Sequence, residues 1–543
     1  MPSADYVVVG AGSAGCALAR RLAESGARVV LVEAGGHDRS RLIRKPGLVT
    51  VMHSVPQIKK RFDWGFASAP QANAEQRRIP QVRGRVLGGS SSINGMIFVR
   101  GNPRNFDDWA ADGCPGWSYA DVLESYKRLE SWEDGASEYR GGGGPVRVTR
   151  VHPITAASRG LIDGLVRTAG VKELDDYNGP EQEGVGVFQQ SVADGLRYSS
   201  SVAYLSTQPP TLQVRTGLTV TRVVIENGRA TGVEAIAGGR REVIRADREV
   251  VLSAGVFGSP QLLMLSGIGP ADHLRQWGID VVADLPVGDN LHDHLFVPMT
   301  YITRSGVNRG TTPYFLRGLI EESLRGGTWV SRTVFETVAF LRSSIATTVP
   351  DIQIHALPWA YPSPNQDAPV VHPVDKRPAL TAMSTLIYPR SRGTLRLASA
   401  DPTAPPVIDP GYLREPDDAR VLLDGMEIIR EAFGSGLVAP DVVELHPGPD
   451  LRTRADLARE LPQRATTVYH PVGTCRMGSD ERAVVDPRLR VRGIEGLRVA
   501  DAAIMPSITG GNTNAPALMI GEHAAAIIRA DAGTVDARPE EAR

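Results

Sequence analysis

The chain has 543 residues, 42% hydrophobic and 22% charged, with 57 Gly and 39 Pro. That is room for two to four domains of ~100–200 residues, and it excludes disorder over most of the length. The 60 Lys and Arg against 61 Asp and Glu leave a formal charge of −1, which argues against nucleic-acid or anionic-membrane partners.

Tyr6–Val9 is a β-branched run followed at once by Gly10-Ala11-Gly12-Ser13-Ala14-Gly15. Cys16–Ser25 then carries apolar residues at helical spacing, Gly26 stands where a helix C-cap belongs, and Arg28–Glu33 reads as a second strand. Strand, glycine turn, helix and strand make a βαβ unit, because parallel strands need such a crossover. From Ile43 to Arg140 recurrent prolines predict a loop-rich stretch, and Gly141–Pro145 reads as a turn or flexible link. Leu218–Ile225, Asn227-Gly228 and Thr231–Ile236 predict a hairpin, and Glu249–Ala254 a strand leading to a helix over Pro260–Leu265. Ser305–Ala346 alternates helical patterns with Gly and Arg. Thr381–Pro389 and Gly393–Leu397 read as strands of a second sheet, Arg414–Phe433 as an amphipathic helix, and Asp531–Arg543 as a charged, mobile tail. Cys16, Cys114 and Cys475 are few and far apart, no apolar run reaches the ~18–20 residues of a membrane helix, and the N-terminus has no basic leader. The expectation is a soluble, cytoplasmic α/β protein with no metal site.

The glycines carry the first chemistry. Gly10 permits the tight turn, Gly12 lets backbone approach a pyrophosphate, and Gly15 lets helix and strand pack closely. The helix N-terminus offers N–H groups and partial positive charge to phosphates, and Glu33, about twenty residues on, suits a ribose diol. With no second GxGxxG after a strand, one bound flavin nucleotide is expected.

Further blocks narrow the reading. RGRVLGGSSSIN (Arg83–Asn94), GSPQLLMLSGIG (Gly258–Gly269), VGDNLHDH (Val287–His294), PRSRGTLRL (Pro389–Leu397), HPVGTCRMG from His470, and GGNTNAPALMIGEHAA (Gly510–Ala525) stand in this order. Together with GAGSAG they resemble the glucose-methanol-choline (GMC) oxidoreductases, in the choline- or alcohol-dehydrogenase-like branch. The resemblance implies an α/β protein, with a Rossmann-like FAD-binding domain and a substrate-binding domain built on an antiparallel sheet. The expected division is 1–150, 191–297 and 462–530 for the FAD domain, 151–190 and 298–461 for the substrate domain, and 531–543 for the tail. It implies oxidation of a primary alcohol to an aldehyde. His470 would take the hydroxyl proton, Asn514 would steady the alkoxide, and the hydride would pass to a flavin ring nitrogen. The cofactor-binding set it implies is Gly10, Gly12, Ser13, Ala14, Gly15, Glu33, Ala34, Arg85, Gly88, Gly89, Asn94, Met96, Ile97, Val220, Asp501, Ala502, Asn512, Thr513 and Ala515. Members with covalent flavin carry His before the block's asparagine; Ile93 stands there, so non-covalent FAD is expected.

A quinone or carrier protein is the favoured electron acceptor, with dioxygen the alternative. A lyase or decarboxylase on the same scaffold is a rival reading disfavoured by the His470–Asn514 pair, and a flavin-binding module without catalysis is a second, disfavoured because it needs no base at His470. His292, His294 and His523 read as structural, Cys475 as packing, and Glu336 as a structural or solvated carboxylate more readily than as the partner of a quaternary ammonium.

Overall fold

The computed structural model describes residues 4–303, 311–361, 377–439 and 441–536. Strand Ala4–Val9, helix Ser13–Glu24 and strand Val29–Glu33 form the expected crossover, the strands pairing in parallel. Leu212–Thr216 extends this sheet in parallel beyond Val29–Glu33, and Arg240–Leu252 flanks Ala4–Val9 on the other side. Arg240–Leu252 is 13 residues long and serves two partners. Its first half pairs antiparallel with Arg229–Ala237 and its second half parallel with Ala4–Val9. Leu497–Val499 also joins its end in parallel, bringing the C-terminal part of the chain to the glycine turn. The hairpin turns through Asn227 (φ 53°) and Gly228 (φ 77°), the left-handed pair that Asn-Gly supplies at least cost.

The second sheet is antiparallel throughout, in the order Val443–His446, Leu295–Ile302, Ala379–Leu386, Ile352–Leu357, Thr337–Leu341, Gly184–Val187, with Thr466–Thr467 also on Leu295–Ile302. Leu295–Ile302 is buried on both faces, with alternate neighbours. Leu295, Val297, Met299 and Tyr301 enter one core with helices Ala156–Ala169 and Pro416–Gly434, while Phe296 enters a separate apolar cluster between the sheets.

Several expectations are corrected. The proline-rich stretch holds two amphipathic helices, Pro103–Ala111 and Tyr119–Leu129, because Pro103 opens a helix instead of breaking one: Asn102 and Ser118 form capping boxes with Asn105 and Asp121. Those helices bury Phe106, Trp109 and Tyr126, each contributing on the order of 1.5–3 kcal/mol of burial. Of the two readings of Gly141–Pro145 the turn fits: residues 143–145 bend, and Gly141 packs so closely that a Cβ would stand 1.9 Å from the Lys127 carbonyl oxygen. Thr394–Arg396 pairs with Val407–Asp409 in a separate ribbon and not in the large sheet. Within 305–346, Thr312–Arg325 is a helix and Thr337–Leu341 a strand; residues 305–310 lie outside the described residues. The expected tail begins inside helix Asn514–Asp536, tied down by Asp531 against Arg498 at 2.9 Å, and residues 537–543 lie outside the described residues. Among the described residues no helix is long and apolar enough to cross a membrane, and no group of three or more His, Cys, Asp or Glu could hold a metal ion.

Candidate active site

One cavity of about 1290 Å³ runs between the sheets, from the glycine turn to His470. That exceeds the ~300–1,000 Å³ of ordinary ligand pockets. At one end it is built from backbone. Gly10 (φ +99°) could not carry a side chain, because its Cβ would lie 2.4 Å from the Ser253 carbonyl oxygen; at Gly15 it would lie 1.9 Å from that of Gly10. Nothing stands within 4 Å of the Cβ position of Gly12, which faces the cavity. The helix that starts at Ser13 has no side-chain cap and no acidic residue in its first turn, so its N–H groups are open to a phosphate. Gly89 packs so closely on Gly12 that an added Cβ would meet its Cα at 2.8 Å. Each of these features fits a dinucleotide.

Side chains complete this end. Glu33 accepts from the Ala11 N–H (3.0 Å) and the Gly35 N–H (2.7 Å), and burial pushes its carboxyl up to about 7. Arg85 lays its guanidinium over Trp64 at 4.8 Å. Asn94 Oδ1 accepts from the Met96 N–H (3.0 Å) and from Arg197 Nη1 (2.8 Å), which turns its NH₂ away from both. Arg197 is fully buried and also bonds the carbonyls of Ile43 and Ser91; desolvation without a paired carboxylate lowers it to about 9. Ser13, Ala14, Ala34, Met96, Ile97, Val220, Ala502, Asn512 and Thr513 line the cavity as well. Gly15, Gly88 and Ala515 do not; they act in packing. Asp501 reaches the wall with its carboxylate already accepting from Gly255 N–H, Ser259 Oγ and Ala503 N–H, so it braces the turn beside the glycine loop.

The other end is built from side chains. His470 follows Thr466–Thr467 and the left-handed Tyr469 (φ 66°), and its backbone N–H donates to Asp293 Oδ1 at 2.9 Å. Asp293 is itself buried and accepts from the Tyr412 and Thr467 hydroxyls. His294 Nε2 lies 2.9 Å from the Ile387 carbonyl, which can only accept, so His294 carries its proton there. Burial holds His294 at about 3, hence neutral, and its Nδ1 is an acceptor. That nitrogen is 3.1 Å from His470 Nδ1, which must therefore donate. His470 is also neutral, its pKa lowered well below the ordinary histidine value by desolvation and then by His294, His355 and Arg83. Its Nε2 is thus left as the acceptor nitrogen on the cavity side. At 3.2 Å stands Asn512 Nδ2, the donor this lone pair requires, while Asn512 Oδ1 accepts from Gln353 Nε2 at 3.1 Å.

The expected partner of His470 is corrected by this arrangement. Asn514, two residues along at the start of the last helix, accepts a hydrogen bond from Ser13 Oγ at 2.8 Å and joins the two helix N-termini at the dinucleotide end. A two-residue step in an irregular loop decides which amide meets the histidine. His294, read as structural, touches His470 directly. Gln353 and His355 were missed; they alternate with Ile352, Ile354 and Ala356 in a strand buried on both faces, and that polar alternation was the available signal. His292, bonded to the Asn290 carbonyl, and His523, against Trp117, lie outside the cavity lining, as does the buried thiol of Cys475. Glu336 is fully buried and outside the cavity. It caps helix Ala156–Ala169 by accepting from the Thr155 N–H (2.9 Å), Thr155 Oγ1 (2.8 Å) and Ser158 Oγ (2.7 Å).

A dinucleotide cradle and a buried histidine share one cavity, an arrangement that fits a nucleotide-dependent oxidoreductase. The sequence matches the GMC oxidoreductase family over residues 4–296 and 389–521, and the chain belongs to that family. It is 42% identical over 535 residues to an oxygen-dependent choline dehydrogenase of Sinorhizobium medicae (strain WSM419), covering 96% of this chain and 95% of the relative. Among solved structures it is similar to pyridoxine 4-oxidase from Mesorbium loti (TM-score 0.86, 28% identity, 97% of this chain and 99% of that one). Formate oxidase is also similar (TM-score 0.88, 26% identity, 98% and 99%). The protein is an FAD-dependent oxidoreductase acting on CH–OH donors, and Ile93 offers no nucleophile for covalent attachment of the cofactor.

Proposed function

We propose that the chain oxidises a primary alcohol to an aldehyde with His470 as the general base and Asn512, in place of Asn514, as the donor to the substrate oxygen. The observation that carries this is the ordered line from the Ile387 carbonyl through His294 to His470 Nε2 and Asn512. The lone pair on His470 Nε2 takes the hydroxyl proton, and the imidazolium that forms keeps its Nδ1–H on His294. Asn512 Nδ2 donates to the developing alkoxide, a positioned contact worth about 2.7–4 kcal/mol when the donor sits in a dry site. Gln353 holds that amide in the donating orientation. Glu33, the Gly10–Gly15 turn, Arg85, Gly89, Asn94, Val220 and Asn514 would hold FAD, which accepts the substrate hydride when bound.

Anaerobic stopped-flow reduction of the bound flavin tests the assignment. His470→Ala is expected to slow reduction by ~10²–10⁴ with FAD content unchanged. Asn512→Ala should slow it more than Asn514→Ala does, and Asn514→Ala should weaken FAD retention instead. Equal rates for His470→Ala and wild type would remove the base. For the acceptor, the oxygen-dependent name of the relatives and the oxidase names of the structural neighbours favour dioxygen over the quinone expected from sequence. Turnover in air against turnover with an artificial quinone measures it.

A further inference from the structure

We infer that the alcohol oxidised here carries an uncharged, apolar skeleton, aryl or branched alkyl, and that the chamber disfavours a quaternary ammonium alcohol; this rests on the assignment of His470 and Asn512 above. Beyond those two residues the cavity is walled by Phe296, Phe335, Trp359, Tyr361, Met383 and Tyr469. Phe296, the second residue of strand Leu295–Ile302, lines the same cavity as His470. It packs edge-on against Tyr361, ring centroids 6.0 Å apart at 72°, and Phe335 packs edge-on against His355 at 6.1 Å and 62°. These walls favour an apolar body in proportion to the area removed from water.

Charge points the same way. Among the described lining residues the only carboxylates are Glu33 and Asp501, both at the dinucleotide end and both already accepting hydrogen bonds from the protein. Away from them the charged groups lining the cavity are Lys59, 3.7 Å from Asp63, and Arg83, which lies near Asp293 and Asp63. Arg83 donates to the Tyr469 carbonyl at 2.8 Å, directly behind a chamber wall. A trimethylammonium group would give up its hydration and, among the described residues that line the substrate end, meet no carboxylate to pair with. Attraction to ring faces of the aromatic walls offsets part of that cost. Glu336, the nearest carboxylate in sequence to Phe335, lies outside the cavity, with Oε2 on its helix cap and Oε1 4.0 Å from Arg332.

The test uses an isosteric pair on the purified holoenzyme: choline, and neohexyl alcohol, in which carbon replaces the ammonium nitrogen. The expected result is anaerobic flavin reduction with kcat/KM for neohexyl alcohol higher by roughly tenfold or more, and benzyl alcohol at least as good as neohexyl alcohol. Choline equal to or better than its isostere would overturn the inference. If no alcohol bleaches the flavin, the alcohol-oxidising assignment fails by itself. Perturbation of the flavin absorbance by the same pair then decides the chamber: tighter neohexyl alcohol supports the inference, tighter choline overturns it. Phe296→Glu adds a carboxylate beside the reacting site and should shift the choline-to-isostere ratio toward choline by roughly tenfold. A folded Phe296→Glu holoenzyme with an unchanged ratio would contradict the placement of Phe296, and the wild-type pair carries the test if that variant does not fold.

Discussion

The two ends of the cavity are made of different material. The dinucleotide end is a backbone device: a strand, three glycines and a helix N-terminus within fifteen consecutive residues, with Glu33 closing it from the next strand. The catalytic end is a side-chain device gathered from Asp293 and His294, Gln353 and His355, Ile387, His470 and Asn512. A backbone device is exacting about volume at each glycine and indifferent to most other side chains. A side-chain device tolerates small volume changes but depends on which nitrogen carries each proton. Substitutions at the two ends should therefore fail in different ways.

The largest effect is expected at the backbone end. Gly15→Val drives a side chain into the Gly10 carbonyl and should cost at the upper end of about 1–3 kcal/mol or more, read as poor accumulation of folded holoprotein. Gly12→Ala separates folding from binding, since its Cβ meets no protein atom within 4 Å. The apoprotein should melt as wild type while FAD affinity falls about tenfold or more, measured by flavin titration. Weakened melting with unaltered FAD affinity would contradict the cradle.

At the catalytic end, His294→Leu leaves the buried Ile387 carbonyl without its donor, so it should cost about 1–3 kcal/mol of stability while FAD content holds, and slow anaerobic flavin reduction by about 10–100-fold, the order of cost seen when a partner that orients a working histidine is lost. Its pH profile is the sharper readout. In wild type, desolvation and then the like-charge influence of His294, His355 and Arg83 hold His470 well below the ordinary histidine value, so reduction should stay level as pH falls through 6.5, where an ordinary histidine is half protonated. Without His294, the His470 tautomer is no longer fixed, and the profile should change shape as well as height.

The smallest and most graded effect is on stability. His292 and His294 are held at about 3 and His355 at about 4 by burial, against ~6.5 in an unfolded chain. With folded values depressed, the unfolded chain binds more protons below ~6.5. The contribution is therefore present in full above that pH and is lost as pH falls toward 3. Glu33 acts in the opposite sense: raised to about 7, its carboxyl favours the fold below ~4.3 and loses that contribution as pH rises through about 7. Calorimetric melting across pH 4 to 8 should show the histidine effect dominating on the acid side, and a melting temperature that climbs steadily below pH 6 would contradict it.

What the sequence determined by itself follows from range. The βαβ opening, the Asn227-Gly228 hairpin and the cradle glycines each rest on interactions between residues a few positions apart, so propensity, turn chemistry and spacing suffice to place them. The helices after Pro103 and Ser118 were obscured because proline was read as a breaker where local capping made it a starter. Tertiary structure alone decided the catalytic partner. Whether Asn512 or Asn514 meets His470 depends on the path of an irregular loop packed against Gln353 from a strand over 150 residues away. The role of His294 depends on a carbonyl at Ile387 that no local pattern marks. A proton's position on an imidazole is set by the last acceptor in a hydrogen-bonded line, and that line exists only after the antiparallel sheet has brought Leu295–Ile302, Ala379–Leu386 and Ile352–Leu357 side by side.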